Sequence, residues 1–288
     1  MANTIGTSTL SEVWRIKYFK TMLDMQLRSA LVAEKICMVD RSDSRYIANP
    51  YLTGATAAIA AIAGTYAVST ATTADDTLTV SEQVTYGVHL FEFEDTLSRA
   101  DLYQSFVEDM TAAVAVKADQ YVINKILDDA TGAYTTPAGG FSTPANVPTI
   151  FADLIAKVAG YSEMYKGLFI VLENTEVSGI VQSAAASGFS FADAALNNGY
   201  VGSYMGVDIH VVRSGTYVTA TLGTLTATNS GHRLFGVKNV ATYAAPRGIQ
   251  YDEKKVTLKT GREIAVWANI GAKCWYQKTA LLVDITLA

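Results

Sequence analysis

The chain has 288 residues, half of them hydrophobic and only 17% charged, with a formal net charge of -5. That is ample apolar material for one large or two modest domains, and the charge lies below the roughly 25% usual for soluble domains, so much of the surface is buried or given to partners. The acidic balance argues against a free nucleic-acid binder, whose affinity comes largely from neutralising phosphate. The apolar run Gly54 to Val68 has 15 residues, seven of them alanine, short of the about 20 that span a bilayer.

Residues 1–45 begin polar and small, with no apolar core of a secretory signal between Met1 and Lys20. Val13, Trp14, Ile16, Tyr18, Phe19, Met22, Leu23, Leu27, Leu31 and Val32 then recur at helical spacing, with Arg15, Lys17, Lys20, Asp24 and Arg28 between them. Two readings stand here: an arm that packs on a surface, and the first helix of the core. Large aromatics this near a terminus, Trp14 and Phe19, need such a surface.

Residues 46–92 are rich in Thr, Ser, Ala and Gly, with isolated Ile59, Ile62, Tyr66 and Val68. A turn is expected at Ala74 to Thr77, followed by alternation through Leu78, Val80, Val84, Tyr86, Val88 and Leu90. The segment reads as an extended hairpin with a long tip. It is too slender to bury its own apolar side chains, so it is expected to rest on a neighbouring copy.

Residues 96–131 carry the strongest periodicity: Tyr103, Phe106, Val107, Met110, Val114, Ala118, Tyr121 and Val122 form one stripe. Ser98 to Asp101 suits a capping box, and Gly132 the C-cap. The helix would be roughly 50 Å long at 1.5 Å per residue. Residues 133–148, with Pro137, Gly139, Gly140, Pro144 and Pro148, read as a linker. An α/β texture follows: a helix from Ile150 to Ser162, a buried strand from Leu168 to Leu172, a helix from Glu176 to Ala186, and a strand from Asp208 to Val212. Residues 214–232 read as a Thr/Gly-rich loop, and Leu234 to Tyr243 as ordered structure. The tail from Lys254 to Ala288 is β-rich, with a turn at Thr260-Gly261.

No HExxH, GxSxG or phosphate-loop pattern occurs. His89, His210 and His232 are isolated, and the glycines Gly199, Gly202 and Gly206 precede a strand, whereas a dinucleotide fingerprint follows one. Cys37 and Cys274 read as buried thiols of a reducing compartment. The acidic pairs Asp75-Asp76, Asp128-Asp129 and Glu92/Glu94 read as turns, helix ends or inter-subunit ion-pair partners in preference to cation sites. No catalytic, metal-binding or cofactor-binding residue is expected, and no cofactor.

Three stretches, Phe91 to Leu97 leading to Ala115 to Val122, Asn198 to Ile209, and Leu234 to Ala241 with Gly271 to Cys274, are similar to passages of the tailed-bacteriophage major capsid protein family, whose Hong Kong phage-type fold is shared with encapsulins. The resemblance spans nearly the whole chain and rests on the order and spacing of the segments. It implies an α+β capsid fold: an N-terminal arm (residues 1–45), an extended β-hairpin loop (46–92), a peripheral domain (93–148 and 250–288) that includes the spine helix (96–131), and an axial α/β domain (149–249). It implies a non-enzymatic subunit that assembles as hexamers and pentamers into an icosahedral head around double-stranded DNA. The head would form in the host cytoplasm and become part of the virion, with a scaffold, a portal and possibly decoration proteins as partners, non-specific contact with the packaged DNA and no membrane. The scaffold would be a separate protein, or a fused one already removed. An encapsulin-like shell is the alternative, although no cargo-docking groove is identifiable; a cytosolic α/β enzyme lacks any nucleophile–base set.

Residues 46–92 contain neither lysine nor arginine, so the isopeptide weld that some members of the family form from a loop lysine is not expected. The loop's charges, Asp75, Asp76, Glu82 and Glu92, are expected to meet a basic surface on the neighbour: Arg99, Lys117 and Lys125 of the helix, or Arg15, Lys17 and Lys20 of the arm. The candidate interface residues are therefore Trp14, Phe19, Ile59, Ile62, Tyr66, Asp75, Asp76, Glu82, Arg99 and Lys117.

Overall fold

In the computed structural model, residues 31–53, 72–90, 100–186, 200–255 and 262–288 are described. Two β-sheets share one apolar core, and a single long helix links them. That helix, α2 (Ala100–Asp128), has 29 residues and is about 43 Å long. Met110, Val114, Ala118, Tyr121 and Val122 of the expected stripe are buried. The helix stops at Asp128, before Gly132, which begins strand β5 (Gly132–Thr135). Gly132 is there for proximity and not as a helix cap: a Cβ on it would lie 2.7 Å from the carbonyl oxygen of Leu282. The capping box lies in part outside the described residues.

The first sheet has five strands. Its centre is β14 (Arg262–Cys274), flanked antiparallel by β13 (Ile249–Lys255) and β4 (Glu82–Leu90), and at its far end by β12 (Ala241–Ala244). Strand β1 (Met38–Asp40) adds parallel to β12. Alternation sends Ile264, Val266, Ala268 and Ile270 of β14 into the core, where α2 crosses the strand. A one-turn helix, α1 (Ala33–Ile36), precedes β1; Val32, Ala33, Ile36 and Cys37 are all buried. The expected arm of residues 1–45 is thereby corrected: residues 32–40 belong to the body, because β1 completes the ladder and Ile36 accepts the Asn239 amide.

The second sheet has six strands in the order β5, β15 (Leu282–Thr286), β11 (His232–Val237), β6 (Leu168–Glu173), β8 (Val207–Val212), β7 (Tyr200–Tyr204). Every residue of β6 is buried, as the uninterrupted apolar run demands of a strand covered on both faces. Helices α3 (Val147–Val158) and α4 (Val177–Ala186) bury Ile150, Phe151, Leu154, Ile180 and Ala184, with the Phe151 ring edge-on to Tyr204 at 5.0 Å. Strands β5 and β15, from the expected linker and tail, lie in this sheet, and the β11–β15 pairing carries hydrogen bonding across the expected 249/250 boundary.

The expected loop 214–232 contains a hairpin, β9 (Thr219–Leu222) and β10 (Leu225–Thr228), closed by Gly223-Thr224. A buried polar cluster holds the approach to it. Arg233 Nε bonds both oxygens of Glu176, its Nη2 meets Glu173 at 3.0 Å, and the guanidinium lies 4.9 Å from the Tyr217 ring centre. The Tyr217 hydroxyl donates to the Val171 carbonyl and accepts from the Leu234 amide. The turn Thr260-Gly261 lies outside the described residues.

Candidate assembly surface

A ribbon of two antiparallel strands, β2 (Tyr46–Thr53) and β3 (Thr72–Thr79), leaves the body separately from both sheets. Ala74 to Thr77 lie within β3, correcting the expected turn: the ladder pairs Asp75 with Pro50 and Asp76 with Asn49. Strand β4 is no part of the ribbon, since nine of its residues pair with β14. The projecting piece is therefore shorter than residues 46–92, and its tip, residues 54–71, lies outside the described residues.

One face of the ribbon is docked on its own chain. Leu78 is buried with Val80 and Ala244, and Ile47 and Trp275 pack against them. Tyr51 stacks on Tyr276 at 5.6 Å, and Gln277 donates to the Leu52 carbonyl. Asp76 accepts from the Lys273 ammonium and from the Tyr276 amide. Burial alone would raise the Asp76 pKa, but Lys273 and the amides outweigh it and hold the carboxyl below the ordinary range. The alternate side chains make the opposite face: Tyr46 and Leu52 are about 60% exposed, with Ala48, Pro50, Thr73, Asp75 and Thr77 around them. Large apolar side chains this open, on a ribbon paired with neither sheet, offer a surface for another molecule.

The expected docking charges are redistributed. Asp76 and Glu82 were assigned to a neighbour, yet both are engaged within the chain: Glu82 Oε1 accepts from the Thr224 amide at 3.2 Å and from its hydroxyl. Gly223 makes room for that contact, with φ of +62° and a Cβ position only 1.9 Å from Glu82 Oε2. Of the helix cations, Lys125 pairs with Asp129 at 2.6 Å. Lys117 is exposed and donates to the neutral Gln120 side chain. Asp75 is exposed on the outer ribbon face. Trp14, Phe19, Ile59, Ile62, Tyr66 and Arg99 lie outside the described residues. Sequence reading missed Tyr46, Leu52, Tyr51 and Tyr276; residues 46–53 alternate in burial but not in apolar and polar side chains, so the sequence carried no period-two signal for the first three.

The titratable groups of the interior face structural partners. Burial, and next the Lys238 charge, pushes His210 down to about 4. His89 sits 3.8 Å from Glu263 across the β4–β14 ladder, and His232 meets Asp284 at 2.8 Å. Cys37 and Cys274 are free, buried thiols, raised by burial, Cys274 to about 12. No cluster of three metal-ligating side chains occurs among the described residues, and none of their helices is long and apolar enough to cross a membrane.

No protein-family model matches the sequence, and no curated protein matches it. Solved structures do. The capsid of cyanophage P-SCSP1u superposes with a TM-score of 0.66 at 13% identity, covering 91% of this chain and 89% of its own. The capsid of a native GTA particle gives 0.67 at 14% identity, covering 91% of both chains. A chain from Mycobacterium phage Ogopogo gives 0.67 at 13% identity, covering 91% and 94%. The likeness runs over about nine-tenths of each chain, and the chain has the tailed-phage capsid fold.

Proposed function

We propose that the chain is a major capsid protein, a structural subunit that builds the icosahedral head of a tailed phage around double-stranded DNA, and that it catalyses no reaction. The observation that carries this reading is the coverage: the matched capsid subunits and this chain account for about nine-tenths of one another. The similar structures come from phages and from the capsid of a GTA particle, which favours a phage head over an encapsulin-like compartment.

The partition of labour follows the two sheets. The peripheral unit is α2 with the five-stranded sheet; the axial unit, around which hexamers and pentamers would close, is the six-stranded sheet with α3 and α4. Ribbon and N-terminal arm tie neighbours together. Tyr46 and Leu52 join Trp14, Phe19, Ile59, Ile62 and Tyr66 as the apolar contacts, burial contributing about 25 cal/mol per Å². Among the described candidates, Asp75 and Lys117 remain exposed charges that can pair between copies, each exposed pair adding only about 0–1 kcal/mol and serving orientation. Scaffold, portal and decoration partners, and contact with DNA, belong to the same reading.

Replacing residues 54–71 by a two-residue Asn-Gly turn tests it. The ribbon base keeps its own anchors, so the subunit should fold with an unchanged circular dichroism spectrum and remain unassembled. Normal shells from this variant would contradict the proposal.

A further inference from the structure

Residues 213–229 leave the six-stranded sheet, lie against α2 and end their reach at β4, and each stage of that crossing is fastened. At the start, Glu173 Oε1 accepts the amides of Gly215 at 2.9 Å and Tyr217 at 3.5 Å, and the buried Tyr217 donates its hydroxyl to β6. In the middle stands Asn124 of α2, fully buried. Its Nδ2 donates to the Thr216 carbonyl at 2.8 Å, and its Oδ1 accepts from the Val218 amide and from Asn229 Nδ2, each at 3.3 Å. One turn earlier on the helix, Gln120 donates to the Gly215 carbonyl. At the far end, the β9–β10 turn rests on Glu82 through Thr224. Glu82 opens β4 just after Val80, whose amide donates to the Arg45 carbonyl, so this contact sits at the root of the projecting ribbon.

The two fastenings differ in kind. Asn124 is sealed from water, so breaking its bonds leaves buried groups without partners. The contact between Glu82 and Thr224 is exposed, and water competes for both sides of it. Between them the hairpin is light. It buries Leu222, Leu225 and Ala227, while Thr219, Thr221, Thr226 and Thr228 are exposed. Residues 214–231 carry no charged side chain, so the carboxylates that hold the segment all belong to other elements. A hairpin with so few apolar anchors opens locally well before the fold does.

We propose that residues 213–229 are a strap binding the six-stranded sheet to α2 and to the ribbon root, with Asn124 as its lasting fastener and Glu82 as a latch that releases first. The strap links the projecting ribbon to the six-stranded sheet when latched, and leaves that link open when the turn lifts from Glu82. The device belongs to the single subunit and holds whether or not the chain assembles.

Hydrogen exchange on the full-length protein at low urea concentrations tests it, with Glu82→Ala and Asn124→Ala. Strap amides should exchange faster than those of β6 and β11 and with a weaker dependence on urea, the mark of local opening. Glu82→Ala should speed the Thr224 and Leu225 amides about tenfold, the size of one lost charged hydrogen bond. Asn124→Ala should speed the Val218 and Asn229 amides by about tenfold or more and leave Thr224 and Leu225 within about twofold, because the tip opens without breaking any bond of Asn124. Equal acceleration of tip and fastener amides in Asn124→Ala would overturn the latch, since the strap would then open all at once. Unchanged tip amides in Glu82→Ala would overturn it too, and that variant, with its change on the surface, decides alone if Asn124→Ala does not fold. Strap amides that share the urea dependence of β6 would overturn the strap itself.

Discussion

Asp76 of β3 and Lys273 of β14 form an ion pair across 197 residues, fastening the projecting ribbon to the body. The Asp76 side chain is 12% exposed, and the Tyr276 amide donates to its second oxygen at 2.8 Å. Removing Asp76 leaves Lys273 with the Thr77 carbonyl alone and the Tyr276 amide without its acceptor. Asp76→Ala is expected to cost about 1–3 kcal/mol in urea unfolding at pH 7. The Asp76 pKa is lowered in the fold, so its contribution exists above the unfolded value near 4 and is lost as pH falls through the folded one. The gap between wild type and Asp76→Ala should therefore narrow below pH 4. An unchanged gap would contradict the assignment.

Asp119 has the opposite sign. Burial raises its pKa to about 6, although the Ala33 and Val32 amides oppose the shift. The folded state then binds its proton more readily than the unfolded chain, so the contribution to stability is greatest at low pH and declines as pH rises from about 4 to 6. Asp119→Asn keeps an oxygen for both amides and removes the buried charge. The variant should gain on wild type by about 2–3 kcal/mol between pH 4 and pH 7. Chemical denaturation of the pair at both pH values measures it; parallel curves would refute the buried charge.

Leu52→Asp, on the open face of the ribbon, touches no described core residue. Thermal stability of the isolated subunit should change by less than about 0.5 kcal/mol, while light scattering under assembly conditions should show no particles. A variant that assembles normally would remove the outer ribbon face from the interface.

With no lysine between residues 46 and 92, the ribbon cannot supply the amine of an isopeptide bond. Particles boiled in detergent should run as a 30.8 kDa monomer. A ladder of covalent multimers would refute this.

Local pattern revealed the elements whose side chains face one core over many residues. The stripe from Met110 to Val122 predicted α2, and the apolar run at 168–172 predicted β6, because burial there depends on period alone. Positions decided by distant partners were not legible. Ala74 to Thr77 carry turn residues, yet they lie within a strand because Asp76 finds Lys273 and Tyr276 near the other end of the chain. Glu82 looked available to a neighbour, and instead it seats the Gly223-Thr224 turn. That turn, two residues between Thr-Ala-Thr-Leu and Leu-Thr-Ala-Thr, carried a readable hairpin signal; its threonine content masked the alternation. The cluster of Arg233 with Glu173 and Glu176 spans 60 residues and has no local signature.

The shell itself is the most direct test. Purified full-length protein, concentrated and imaged by electron microscopy with sedimentation in parallel, should yield closed icosahedral particles, or hexamers and pentamers that close when a scaffold is supplied. A subunit that stays monomeric at high concentration, with its ribbon folded wholly against its own body, would contradict the account.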